Sequence, residues 1–105
     1  MSKLRREAKG RECTVGLPHI CNGNSETVVL AHFRLIGISG MGLKSPDLIG
    51  AWCCSACHDV VDKRRFVKDL DSGFVRLAHA LGVFRTQAIL LKEGKIGHTP
   101  EWACD

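Results

Sequence analysis

The sequence predicts a small α+β domain, and three observations carry that reading. A β-branched run at Thr27, Val28 and Val29 leads, after a stretch holding Gly37, Gly40 and Gly42, to a second short apolar run at Leu48–Trp52. Two cysteine pairs, Cys13 with Cys21 and Cys54 with Cys57, bracket these runs. From Phe74 to Leu91, apolar residues recur three or four apart, the spacing of one helix face.

Each element follows from local chemistry. Residues 1–11 carry five basic side chains (Lys3, Arg5, Arg6, Lys9, Arg11) and form a basic N-terminal segment, either an arm along phosphate or a short solvated helix. Gly16, Pro18, Asn22, Gly23 and Asn24 make the stretch from Cys13 to Asn24 turn-like. A strand is predicted over Thr27–Phe33, with His32 near its end, and its partner over Leu48–Trp52. A helix begins at about Ser55, with Val60, Val61 and Phe66 on its apolar side and Asp62, Lys63, Arg64 and Arg65 largely outward. Phe74, Leu77, Leu81, Phe84, Ala88 and Leu91 form the stripe of a C-terminal helical segment, read as core with a partner groove as the alternative; Gly82 allows a kink or a break into two helices. Residues 98–105 read as a loose tail.

Length and charge narrow the function classes. At 105 residues the chain makes one domain with a modest core. The apolar share of 45% excludes a wholly disordered chain. No apolar run reaches the roughly 18 residues of a membrane span, so no membrane partner is expected. The charged N-terminus is followed by no apolar stretch, which predicts no secretory leader and a reducing, cytoplasmic setting. Six cysteines in such a setting are metal ligands or reactive groups before they are disulfides. A net charge of +4 leans toward an anionic partner, nucleic acid being the first candidate.

Cys54 and Cys57 form C-x-x-C at a predicted helix start, a spacing that lets both sulfurs reach one tetrahedral Zn²⁺ at about 2.3 Å. Cys13 and Cys21 complete a four-sulfur structural site, which would supply folding free energy that a small core lacks. Cys53 could replace Cys54 through a C-x3-C spacing; otherwise Cys53 and Cys104 are buried thiols. His19, near Cys21, is a weaker candidate, and His79 and His98 are read as uninvolved.

His58 follows Cys57 directly, and a strand-borne His32 precedes it by a glycine-rich loop and a short strand. This order matches the ββα-metal arrangement of HNH-type nucleases. There His32 would be the general base toward water, and a divalent cation near His58 would stabilise charge on the scissile phosphate. Arg34, two residues beyond His32, could clamp a phosphate, and Lys63, Arg64 and Arg65 could bind the backbone; a surface ion pair and a solvated helix end are the plainer readings of these cations. The plainer reading of His32 is a hydrogen-bonded core histidine, and that of His58 a zinc ligand.

Cys13 with Cys21, the segment Leu30-Ala31-His32-Phe33-Arg34, and Cys54-Ser55-Ala56-Cys57-His58-Asp59 together resemble the YbcO family of small lambdoid prophage proteins, described as nucleases. The likeness covers most of the chain, through Arg85-Thr86-Gln87 and Leu91-Lys92-Glu93-Gly94, and its cysteine and histidine pattern also resembles zinc-bearing HNH endonucleases. The resemblance implies a metal-dependent endonuclease acting on DNA in the bacterial cytoplasm. It makes His32 the base and His58 a ligand of Mg²⁺ or Mn²⁺, with Asp59 or Asp62. Asp47 falls at the middle position of the HNH pattern, where it would orient the base or meet the metal. Ala31 stands where such enzymes often carry an acidic residue or histidine. Two other readings compete: a zinc-stabilised nucleic-acid-binding module without catalysis, and a recombination-assembly module using Phe74–Leu91.

Overall fold

Two antiparallel strands, β1 (Val29–His32) and β2 (Gly50–Cys53), form the sheet, in register from Val29 opposite Cys53 to His32 opposite Gly50. The computed structural model describes residues 3–34 and 46–97, so the predicted glycine loop and the tail lie outside the described residues. Both strands are shorter than their sequence runs. The Asn24 side chain accepts a hydrogen bond from Glu26 N, and Ser25–Thr27 turn into a 3-10 coil instead of extending. Asp47–Ile49 do the same before β2, closed by Ile49 N donating to Pro46 O at 2.9 Å.

Three helices complete the α+β architecture: α1 (Lys3–Glu7), α2 (Ser55–Val61) and α3 (Ser72–Lys92). The core lies between the sheet and α3, where Ala31, Ala51, Trp52 and Cys53 meet Val83, Leu90, and Val15 and Leu17 of the cysteine turn. Phe66 does not join α2's apolar side; it lies beyond the helix end and is 87% exposed.

Gly82 neither kinks nor splits α3, which runs unbroken for 21 residues. A Cβ there would stand 2.9 Å from Val15 Cγ2 and 3.1 Å from Ala51 Cβ, so glycine is what lets helix and sheet approach. The buried face of α3 is His79, Gly82, Val83, Thr86 and Leu90. The stripe expected to be core points the other way: Phe74, Leu77, Leu81, Phe84 and Leu91 are all exposed. Hydrogen bonding decides this. His79 Nε2 donates to Ala31 O at 2.9 Å, and Thr86 Oγ1 accepts from Trp52 N at 3.1 Å while bonding Thr14 Oγ1 at 2.9 Å. These pairs satisfy backbone groups that an all-apolar face would leave orphaned. By length and composition alone α3 could cross a membrane, the one such helix among the described residues; its polar core-facing contacts belong instead to a helix docked on a sheet.

The N-terminal segment is a helix and turn tied to the far end of α3. Arg11 makes a bidentate pair with Glu93 and stacks over the Trp52 ring at 4.6 Å, while Lys95 Nζ reaches Glu7 at 2.6 Å. Arg11 thus spends its charge inside the fold, and Glu93 is held down at about 2 by that guanidinium.

Candidate functional site

The cysteine turn and the start of α2 meet where β2 ends. Cys54 is the N-cap of α2, and its Sγ accepts from Cys57 N at 3.4 Å. Gly16 N points at Cys13 Sγ (3.3 Å) and Leu17 N at Cys57 Sγ (3.4 Å). Backbone N–H groups aimed at sulfur favour the thiolate form, the form that binds metal. The Sγ atoms of Cys13, Cys21, Cys54 and Cys57 all lie within 4.8 Å of one another and could hold a metal ion. Burial pushes the Cys21 thiol up, a cost that a bound cation would remove. Cys53 stays outside this set. Its hydrogen bonding with Cys13 and Cys57 and its burial push its thiol up. All five described cysteines are free of disulfides, and His19, exposed at φ 61°, is not in the cluster.

At the His32 end of β1, a cleft of about 830 Å³ opens between the strand, the turn after α2 and the start of α3. His32, Arg34, Asp62, Lys63 and Arg65 of the residues singled out from sequence line it. His32 Nε2 stands 2.6 Å from Asp47 Oδ1, both half-buried, and Asp47 also receives Arg5 Nε at 3.4 Å. His58 does not line the cleft; it reaches it through Asp62, with Nε2 3.1 Å from Asp62 Oδ2. Asp59 and Arg64 also lie off the cleft wall: Arg64 pairs with Asp62 at 3.0 Å and approaches Asp59 at 3.9 Å. Lys63, with φ 61°, takes the left-handed conformation that turns the chain at the end of α2, strain of a kind that persists where the surroundings impose it.

Three cleft residues are not among the site residues read from the sequence. His79, seven per cent exposed, sits edge-on to Phe33 with ring centroids 5.1 Å apart. Burial pulls its pKa below the ordinary histidine range, offset in part by the Ala31 carbonyl and the Asp62 charge. Arg76 covers the Phe33 ring at 4.5 Å and donates to Arg34 O at 3.1 Å. Phe66 presents its ring to solvent at the rim. A signal for His79 existed: His79 and Thr86 are polar residues seven apart in an otherwise apolar helix, one face by helical period. Nothing in the sequence marks Arg76 or Phe66.

The cleft therefore holds two imidazoles, one carboxylate and four cationic side chains, with exposed apolar surface at its edge. Such a wall suits a polyanion.

Comparison with known proteins agrees in one direction. Residues 2–95 match the family model described as "Putative nuclease YbcO". A protein of that description from Escherichia coli (strain K12) is 52% identical over 96 residues, covering 91% of this chain and 98% of the relative. One from Enterobacteria phage 82 shows the same identity and coverage. A solved structure described as "a putative bacteriophage protein from Escherichia coli str. K-12 substr. MG1655" superposes with a TM-score of 0.72 at 47% identity, over 88% of this chain and all of that one.

Proposed function

This chain belongs to the YbcO family, and from that premise we propose that it is a metal-dependent endonuclease of the ββα-metal (HNH) type, acting on DNA and carrying a structural zinc. The observation that carries the reading is the His32–Asp47 pair beside a cleft with four cationic side chains. Nε2 of His32 donates to the Asp47 carboxylate, which leaves Nδ1 unprotonated and able to take a proton from water. Asp47 then stabilises the imidazolium as it forms. Arg34, Lys63, Arg65 and Arg76 hold the phosphate backbone, which positions the scissile bond without reading sequence. Hydroxide attacks phosphorus and the leaving ester oxygen departs. Mg²⁺ or Mn²⁺ beside His58 and Asp62, whose side chains lie 3.1 Å apart, would supply the charge that stabilises that oxygen, while Asp59, off the cleft wall, does not join them.

For the cysteine cluster, zinc is the ion whose chemistry fits. A tetrahedron with zinc–sulfur bonds of about 2.3 Å has edges of about 3.8 Å, and Cys21 Sγ lies 3.8 Å from Cys54 Sγ. Four thiolates and no open position make the site structural. The protein acts in the cytoplasm of the bacterial host on this reading.

The test is a cleavage assay on linear, nicked and branched DNA with Mg²⁺ or Mn²⁺, with His32→Ala beside it. Cleavage that His32→Ala reduces by roughly 10²–10⁴-fold supports the assignment. A second reading, a zinc-stabilised binding module, draws on Ala31: two per cent exposed, it offers no donor beside His32. DNA binding without cleavage under any divalent ion would establish that reading instead.

A further inference from the structure

Phe74, Leu77, Leu81, Phe84, Ala88 and Leu91 follow one another at alternating steps of three and four, the a and d positions of a heptad repeat, over three heptads. In α3 they occupy a stripe roughly 100° wide at 100° per residue, centred opposite the buried face of His79, Val83, Thr86 and Leu90. Leu77 is 58% and Phe84 66% exposed. The stripe presents roughly 500 Å² of contiguous apolar surface, near the top of what a typical monomer shows. The same helix thus carries two unlike faces: one bonded to the sheet, and one spaced for knobs-into-holes packing and largely exposed, with Gly97 close to Leu91 at its C-terminal end.

We infer that this stripe is the interface of a homodimer in which two copies of α3 pack antiparallel. A second copy is the occupant because the spacing is self-complementary about a two-fold axis midway along the stripe, which sets Phe74 against Leu91 and Leu77 against Ala88 of the other protomer. Charge fixes the direction. Asp69 and Asp71 lie at the start of α3 and Lys92 at its end, all exposed. Antiparallel packing sets each acidic end against the other protomer's Lys92 and opposes the helix dipoles, whereas parallel packing would bring like charges together. The flanking positions Gly73, Ala78 and Ala80 are small and let the helices close. A membrane does not suit the helix equally well, since insertion would strip His79 and Thr86 of their backbone partners.

Sedimentation equilibrium of the zinc-loaded full chain should give twice the 11.5 kDa chain mass. The variant Leu77→Glu/Phe84→Glu should halve that mass with unchanged circular dichroism and metal content, because both sites are already exposed. In a Cys104→Ser background, mixed Leu77→Cys and Ala88→Cys proteins should cross-link to each other on mild oxidation, and Leu77→Cys alone should not. A wild type that stays at the monomer mass overturns the inference, whether or not it binds anionic lipid vesicles. So does a dimer that survives the glutamate pair, and cross-linking of Leu77→Cys with itself overturns the antiparallel arrangement.

Discussion

Asp47 holds His32 at 2.6 Å from a position fifteen residues further along the chain, in a 3-10 turn rather than on the strand. The pair joins the two ends of the segment between the strands, and its carboxylate also receives Arg5 from α1. Replacing Asp47 by Asn keeps an acceptor for Nε2–H but removes the charge that supports the imidazolium. Cleavage by Asp47→Asn should fall by less than the roughly 10²–10⁴-fold expected for loss of the base, with zinc content constant. An unchanged rate would mean that Asp47 anchors Arg5 and does nothing for His32.

Metal removal should unfold the domain. Zinc bound by four thiolates contributes an apparent ~10–16 kcal/mol, about as much as the whole ~5–15 kcal/mol stability of a domain. Serine at Cys13, Cys21, Cys54 or Cys57 should therefore yield metal-poor, poorly folded protein. Cys53→Ala should retain one zinc per chain, since Cys53 lies outside the four-sulfur cluster. Elemental analysis with circular dichroism reads both; loss of zinc on Cys53→Ala would put Cys53 among the ligands.

Thr86→Val is nearly isosteric and removes the hydroxyl that Trp52 N and Thr14 use. It leaves a buried N–H without a partner, a cost of roughly 1–3 kcal/mol. Denaturant unfolding should show that loss with the m-value unchanged. No loss would mean that water replaces the hydroxyl.

His79 makes stability depend on pH. Its folded pKa lies below the ordinary 6.5 because burial disfavours the charged ring. Between the two values the unfolded chain binds a proton that the folded chain does not. Stability therefore rises with pH across that window and falls on acidification, by at most about 1.4 kcal/mol per pH unit. Asp62, His58 and Arg76 set its surroundings and partly offset one another. Melting temperatures between pH 7 and 5 should drop in the wild type and flatten in His79→Gln. Parallel curves for the two proteins would remove His79 as the cause.

How much of this was legible in the sequence depends on how local the signal is. The cysteine cluster was readable because C-x-x-C at a helix start constrains two ligands at once, although Cys53 stood as an alternative to Cys54. The strand containing His32 was visible in β-branching, but its start was displaced by the Asn24 cap, a side-chain effect that competes with extension. The outward face of α3 was misread for a physical reason. Apolar periodicity reports that a face wants burial and not against what, and the intramolecular face was chosen by His79, Gly82 and Thr86, which a hydropathy count passes over. Arg76 and Phe66 enter the cleft through tertiary packing alone.

The cysteine ligands arrive in two instalments, Cys21 preceding Cys54 by 33 positions. At roughly 5–20 residues per second of synthesis, the first pair waits roughly 2–7 s for the second. During that interval the nascent chain offers a bare dithiol, which binds Cu(I) in preference to zinc and oxidises readily. The native site can discriminate by tetrahedral geometry only once Cys57 is made. If the cluster holds zinc as proposed, its loading depends on timing as well as on affinity.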